Sequence, residues 1–221
     1  MDKVLDYQSL KERQRAERVD HHPNLALRVH RALSWLQRAE QLKGDLDTQF
    51  ISLWIAFNAA YATEINDDYR TSEQSVFKSF IKKLLELDQE GLIEQLVWHE
   101  FSGNIRVLLN NHYIFQDFWG SHNGKLKSDE WKETFKQANE VAKKALGRRK
   151  TDVVLSIVLS RVYTLRNQII HGGSTWNSQV NREQLDNCTK MMWKLVPLII
   201  HIMLEHPKSL WGEAVYPVIN A

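Results

Sequence analysis

Helix-breaking residues are scarce in this sequence. Its 221 residues include nine glycines and four prolines, whereas proteins usually contain roughly 7% glycine and 5% proline. No proline interrupts residues 24–196. A many-stranded β fold needs many turns, and turns depend on these two residues. The scarcity therefore argues against such a fold and predicts an all-α protein built of long helices.

The sequence also has a single cysteine, a small net charge and no long apolar run. The only cysteine, Cys188, excludes an intramolecular disulfide framework and a cysteine-rich zinc site. A net charge of +2 excludes a strongly basic nucleic-acid binder, although a local basic patch stays compatible with it. The most apolar stretch, residues 191–204, is shorter than the about 20 residues of a membrane span. Since residues 1–20 also lack the apolar core of a signal peptide, we expect a cytoplasmic protein with no membrane partner.

Hydrophobic periodicity predicts where the helices lie. Residues 25–43 and 75–87 carry apolar side chains at helical spacing, and residues 50–61 are apolar nearly all round, as in a buried central helix. We expect Asp47 or Thr48 to cap that central helix. Further helices are predicted over residues 7–19, 129–146, 151–171 and 182–205, with two more between residues 90 and 119.

The helix predicted over residues 151–171 has the clearest pattern. One face is apolar and another is small and polar, so the polar face would let a second helix approach closely. Gly172 and Gly173 should end the helix, since glycine tolerates the left-handed conformation common at helix ends. The apolar stripe comprises Val154, Val158, Val162, Leu165 and Ile169, and the polar stripe comprises Ser156, Ser160, Thr164, Asn167 and His171.

An arginine and a histidine with four residues between them lie at the end of this helix, in the segment Arg166-Asn-Gln-Ile-Ile-His171. Asn167 and His171 share a face, because four residues turn a helix through about 400°. Arg166 lies about 140° from His171 around the axis, so its side chain must reach around the helix or two copies of the chain must meet. Taken alone, the pattern favours the simpler interpretation that both residues cap and solvate a helix end.

The segment RNQIIHGG at residues 166–173 resembles the R-x4-6-H signature of HEPN domains. The segments FISLWIAFNAAYA, at residues 50–62, and STWNSQVNREQ, at residues 174–184, are similar to a bacterial, ApeA-like branch of that family. The resemblance implies a single HEPN-type helical bundle over residues 1–221. Its core helices would lie at about residues 25–62 and 151–205, and residues 63–150 would form a helical insertion between them.

The resemblance also implies a function. Many HEPN proteins are metal-independent endoribonucleases of toxin–antitoxin or antiphage-defence systems, in which the Arg and His of two protomers meet in a composite cleft. We therefore expect a homodimer that cuts RNA without a metal or other cofactor and that has an antitoxin or regulatory partner. The matching positions make Arg166, Asn167 and His171 the candidate catalytic residues. The alternative is a catalytically inactive HEPN module that binds RNA or a partner protein.

The three residue types suit this chemistry. Metal-free cleavage of RNA needs a base for the 2′-hydroxyl, an acid for the leaving 5′-oxygen and a cation for the charge that develops on the phosphate. Histidine transfers protons near neutral pH, which suits His171 to the first two tasks. Arginine stays charged and donates two hydrogen bonds to phosphate oxygens, which suits Arg166 to the third. Asn167 would orient the histidine or donate to the phosphate.

Three further residues are candidates for substrate binding. Lys150 ends the basic run at residues 143–150, which would either follow an RNA backbone or form a solvated helix end. Trp176 would either stack on a base or pack its loop onto the bundle. Arg182 would contact RNA, support that loop or cap the last helix. The histidines and carboxylates show no ligand pattern such as H-E-x-x-H, and we expect no metal site.

Overall fold

A computed structural model describes residues 5–61, 73–127, 129–214 and 216 of the chain. Within these residues there are ten α-helices and no strand, which confirms the predicted all-α class. Short 3₁₀ or π-helical turns separate some of them, among them His112–Ile114. The helices are α1 (Tyr7–Glu17), α2 (Pro23–Gln41), α3 (Leu46–Tyr61), α4 (Glu73–Leu87), α5 (Leu92–Gln95), α6 (Ser102–Asn110), α7 (Gln116–His122), α8 (Glu130–Gly147), α9 (Thr151–Ile170) and α10 (Arg182–Glu205).

The chain divides into two compact units. Unit 1 consists of Met1–Leu92 and Thr189–Ala221, and unit 2 consists of Ile93–Cys188. Unit 2 therefore combines α9 with most of the segment predicted to be an insertion. All the candidate catalytic and substrate-binding residues belong to unit 2. The arrangement as a single domain with an insertion at residues 63–150 stays a prediction, and residues 63–72 lie outside the described part of the chain.

The core of unit 1 is the pair formed by α2 and α3. The apolar stripe of α2 is buried, with Val29 and Leu33 fully shielded from solvent. On α3, Phe50 and Leu53 are fully shielded as well. The prediction that residues 50–61 form a buried helix is therefore confirmed.

The cap of α3 differs from the sequence prediction. Asp45, and neither Asp47 nor Thr48, precedes the helix and receives its first free donors. One Asp45 carboxylate oxygen accepts from the backbone N–H of Thr48 at 3.1 Å, and the other accepts from the Thr48 hydroxyl at 2.8 Å. The helix starts at Leu46, so Asp47 and Thr48 already lie inside it.

Helix α9 is the buried helix of unit 2 and packs against α6 and α8. It is long and apolar enough to cross a membrane, judged by length and composition alone. The core helix of a folded domain passes the same test. Nine of the residues of α9 are buried, and Val154, Val158 and Val162 are fully shielded from solvent.

Candidate active site

The start of α9 is held by a chain of side-chain hydrogen bonds. The indole Nε1 of Trp98 donates to the hydroxyl of Thr151 at 2.9 Å. That hydroxyl in turn donates to the carboxylate of Glu94 at 3.2 Å. The apolar stripe predicted from the sequence faces the core. Leu165 is only 2% exposed, and Ile169, nearer the end of the helix, is half-buried. The stripe therefore fixes which residues of α9 face away from the core.

Two glycines close the other end of α9 with a Schellman motif. The backbone N–H of Gly172 donates to the carbonyl of Ile169 at 3.1 Å, and that of Gly173 donates to the carbonyl of Gln168 at 2.7 Å. Gly172 has a φ of 71°, in the left-handed region that glycine adopts without strain. A Cβ at Gly173 would lie 2.9 Å from the Gln168 carbonyl oxygen, too close for any other residue. Both predicted stop residues are therefore confirmed, and the backbone on which the motif lies is tightly defined.

Arg166 and Asn167 are held together by a direct hydrogen bond. The Nη1 of Arg166 donates to the Asn167 side-chain oxygen at 2.8 Å. The guanidinium also lies over the ring of Tyr163, 5.9 Å from its centroid. Both motif residues are half-buried. The contact orients the guanidinium at the surface of the last turns of α9 and uses one of its five donors.

His171 is the capping residue at the end of α9 and its side chain is exposed. Its backbone N–H donates to the carbonyl of Asn167 at 3.0 Å, which ties its position to that of the motif asparagine. The imidazole makes no hydrogen bond or ion pair with any residue in the described part of the chain. The two ring nitrogens are therefore open to an external group, and Arg166 and His171 do not contact each other through hydrogen bonds within one chain.

The loop after α9 is supported from α10. The Nη2 of Arg182 donates to the side-chain oxygen of Asn177 at 2.9 Å. Asn177 and Asn181 both adopt positive φ, 57° and 61°, which asparagine tolerates better than most residues. Trp176 is 72% exposed, so only a minor part of its side chain is covered within one chain. Arg182 acts here as a support for the loop, one of the roles considered for it.

Lys150 lies at the opposite end of α9 from the motif. It directly precedes the helix and its side chain is exposed. Arg166 follows it by sixteen positions, which corresponds to about 24 Å along a helix axis. The rest of the basic run is exposed at its charged positions too, and Arg149 lies over the ring of Trp98 at 5.2 Å. Within one chain, therefore, Lys150 and the motif cannot contact the same phosphate.

Sequence reasoning missed a buried arginine on α9. Arg161 is only 4% exposed, and its guanidinium lies 4.3 Å from the ring centroid of Phe115 and 5.5 Å from that of Phe135. A signal was present in the sequence, because Arg161 follows Val154 by seven residues and precedes Leu165 by four. Both intervals keep it on the apolar face.

Other kinds of catalytic group find little support in the described residues. They contain no cluster of three or more His, Cys, Asp or Glu side chains that would hold a metal ion. Cys188 is fully buried, and burial raises the pKa of its thiol well above the usual range. A thiol in that state is not a nucleophile at neutral pH. The exposed polar groups at the end of α9 are the better candidates for chemistry.

Comparison of the chain with models of protein families, with characterised proteins and with solved structures finds no match. What the chain can do must therefore be argued from its own residues. At the end of α9, an oriented guanidinium, an amide and an unengaged imidazole lie within six consecutive residues. Such a group can bind an oxyanion and exchange protons with it.

Proposed function

We propose that this chain is a metal-independent endoribonuclease of the HEPN type, acting as a bacterial toxin or in antiphage defence. One observation carries the proposal. The Schellman motif at Gly172 and Gly173 fixes the end of α9, where the paired Arg166 and Asn167 and the exposed His171 stand together. The resemblance of this segment to the HEPN signature supplies the reaction. A cytoplasmic location and an antitoxin or regulatory partner belong to the same proposal.

The proposed reaction needs only these side chains and the RNA. The 2′-oxygen attacks the adjacent phosphorus and loses its proton to a base, for which we propose the imidazole of His171. The bond from phosphorus to the 5′-oxygen breaks, and that oxygen takes up a proton from the imidazolium that His171 became in the first step. Arg166 stabilises the negative charge on the phosphate in between, while Asn167 holds the guanidinium in place. The products are a 2′,3′-cyclic phosphate and a 5′-hydroxyl.

The second protomer of a homodimer would complete the site. Arg166 is held by Asn167 of its own chain, while His171 has no partner among the described residues. Two copies related by a two-fold axis would place the arginine of one beside the histidine of the other. We expect sedimentation velocity to give the mass of a dimer at micromolar concentration. A monomer that still cuts RNA at the same concentration would contradict the composite site.

Metal independence gives the sharpest test of the reaction. Purified protein incubated with mixed RNA in EDTA is expected to produce fragments ending in 2′,3′-cyclic phosphate, because no step uses a metal ion. A double variant, Arg166→Ala with His171→Ala, purified in the same way, controls for a contaminating nuclease and should leave the RNA intact. Cleavage that stops in EDTA and returns with magnesium would contradict the mechanism, provided that an RNA without stable secondary structure is used. RNA that is bound but not cut would favour the inactive HEPN module.

A further inference from the structure

Unit 2 contains a buried cation that the proposed ribonuclease site does not use. Arg161 is 96% shielded from solvent, as its relative exposure of 4% shows. Its Nε is fully buried and has no hydrogen-bond partner in the described part of the chain. No carboxylate of the described residues lies within 4.0 Å of its guanidinium, the distance that defines an ion pair. The guanidinium therefore has donors that no described group accepts.

Such a group is costly for a protein to maintain. A buried charge normally needs a partner, because removal from water penalises the charged form. Burial lowers the pKa of Arg161 to about 10, which still leaves it charged at neutral pH. The charge of Asp117 acts in the opposite direction and favours the charged form, although it lies beyond ion-pair distance. Contacts with the rings of Phe115 and Phe135 offset part of the cost but accept none of the hydrogen bonds.

A second polar side chain with unused hydrogen-bonding capacity belongs to the same group of rings. His112 is half-buried. The centroid of its ring lies 4.1 Å from the ring centroid of Tyr113, 5.6 Å from that of Trp131 and 6.3 Å from that of Phe135. Its imidazole makes no hydrogen bond with the residues that the structure describes. Arg161 and His112 thus both border the ring of Phe135. We call this group the ring cluster; it comprises His112, Tyr113, Phe115, Phe118, Trp131 and Phe135.

The ring cluster is joined to the motif end of α9. The side-chain amide of Gln168, the residue after Asn167, donates to the backbone carbonyl of Tyr113 at 2.6 Å. The same carbonyl accepts from the indole of Trp119 at 2.7 Å. Tyr113 itself is 44% exposed, so an aromatic surface is accessible at the edge of the cluster. A cation with free donors and an open aromatic surface therefore belong to one region of unit 2.

We propose that Arg161 and the ring cluster bind the phosphate and base of a nucleotide. The planar guanidinium pairs with two phosphate oxygens, the geometry for which arginine is best suited. The base packs against the accessible rings, which accept any base because every base has a π face. The nucleotide is either free or one unit of a single RNA strand, and the two sources share this chemistry. The site goes beyond the proposed cleavage reaction, since binding at Arg161 requires no catalysis.

Ligand binding to the intact protein tests the site without relying on cleavage. The probes are AMP, inorganic phosphate, adenosine and a single-stranded RNA whose 2′-hydroxyls are all methylated, so that it cannot be cut. We expect AMP or the methylated RNA to raise the Tm of the parent protein, by about 5–10 °C at a hundredfold excess over Kd. Binding of AMP alone identifies a free nucleotide, and binding of the RNA identifies a strand. Adenosine should bind far more weakly, because it lacks the phosphate.

Arg161→Met is the decisive variant, and Arg106→Met is its matched control. Both remove an arginine of unit 2, but Arg106 is exposed and belongs neither to the ring cluster nor to the basic run at residues 143–150. We expect Arg161→Met to weaken binding about 10- to 100-fold, as the loss of charged hydrogen bonds does, and the control to bind like the parent. The proposal is overturned if no phosphate-bearing probe binds, or if both variants bind them equally well. Inorganic phosphate that binds as tightly as AMP would overturn the role of the rings.

Two further variants guard against a failure to fold. Arg161→Lys keeps the charge but loses the planar fork, so it should fold and still bind AMP more weakly than the parent. Asp117→Asn removes a negative charge near Arg161 and should tighten AMP binding several-fold. Weaker binding by Asp117→Asn would mean that no anion occupies the site. Because none of these measurements uses cleavage, their failure leaves the proposed ribonuclease activity untouched, and the reverse also holds.

Discussion

Replacing either Arg166 or His171 by alanine is expected to slow RNA cleavage by about a hundredfold or more. Loss of a positioned proton-transfer group or of a phosphate donor has an effect of that size, since both act mainly in the transition state. The stability of the fold should hardly change. His171 is exposed and Arg166 half-buried, and neither belongs to the apolar stripe of α9. Substitutions of this kind usually change the free energy of unfolding by no more than about 0.5 kcal/mol, or about 2 °C in Tm.

The measurement is the initial rate of cleavage in EDTA beside the Tm of each variant. Arg106→Ala and His99→Ala are matched controls, because both residues are exposed members of unit 2 outside the motif. They should cut RNA like the parent. If the two motif variants melt far below the parent, the pair has a structural role and the inactive module gains support. If they melt normally and cut RNA at the parental rate, the nuclease site lies elsewhere.

Arg166→Lys separates charge from geometry at the same position. A lysine keeps the positive charge but offers no planar fork to phosphate oxygens and cannot reproduce the fixed hydrogen bond to Asn167. Its rate should therefore fall between those of the parent and of Arg166→Ala. This pattern links the hydrogen bond seen in the structure to the proposed role of Asn167.

The helices themselves follow closely from local sequence patterns. The apolar stripe of α9, with Val154 and Val158 fully buried, and the glycine stop at Gly172 depend on residues within one or two turns of each other. Such short-range patterns can be interpreted without knowing the fold. The cap of α3 shows that the first residue of a helix is harder to predict than the helix itself. The sequence pattern favours Asp47 or Thr48 as the cap, but the helix already starts at Leu46, so Asp45 caps it instead.

The candidate sites depend on contacts that the sequence pattern does not contain. The hydrogen bond between Arg166 and Asn167 joins neighbours that point in different directions on an ideal helix, so it requires a particular side-chain conformation. The contacts of Arg161 with Phe115 and Phe135 join residues that are 46 and 26 positions apart. Nothing in the local pattern of α9 identifies the rings that cover this arginine. The motif could therefore be located from the sequence, while the ring cluster could not.

Replacing Leu165 by alanine should have the opposite effect to the motif substitutions. Leu165 adjoins Arg166 in sequence but is only 2% exposed. Removing its buried carbon atoms leaves a cavity and costs about 2–5 kcal/mol. For a chain of this length, the Tm should fall by roughly 4–20 °C. Because Leu165 contributes no group that would contact RNA, cleavage measured well below the lowered Tm should persist.

Ile170→Ala is the matched control for this substitution. Ile170 is an apolar residue of similar size on the same helix, but it is 46% exposed, so its truncation removes much less buried surface. Urea unfolding followed by circular dichroism should show the midpoint of Leu165→Ala well below that of Ile170→Ala, with similar slopes for both. Equal midpoints would contradict the placement of Leu165 in the core. A loss of cleavage by Leu165→Ala as large as that of Arg166→Ala, in a sample that is still folded, would show that rate and stability cannot be separated along α9.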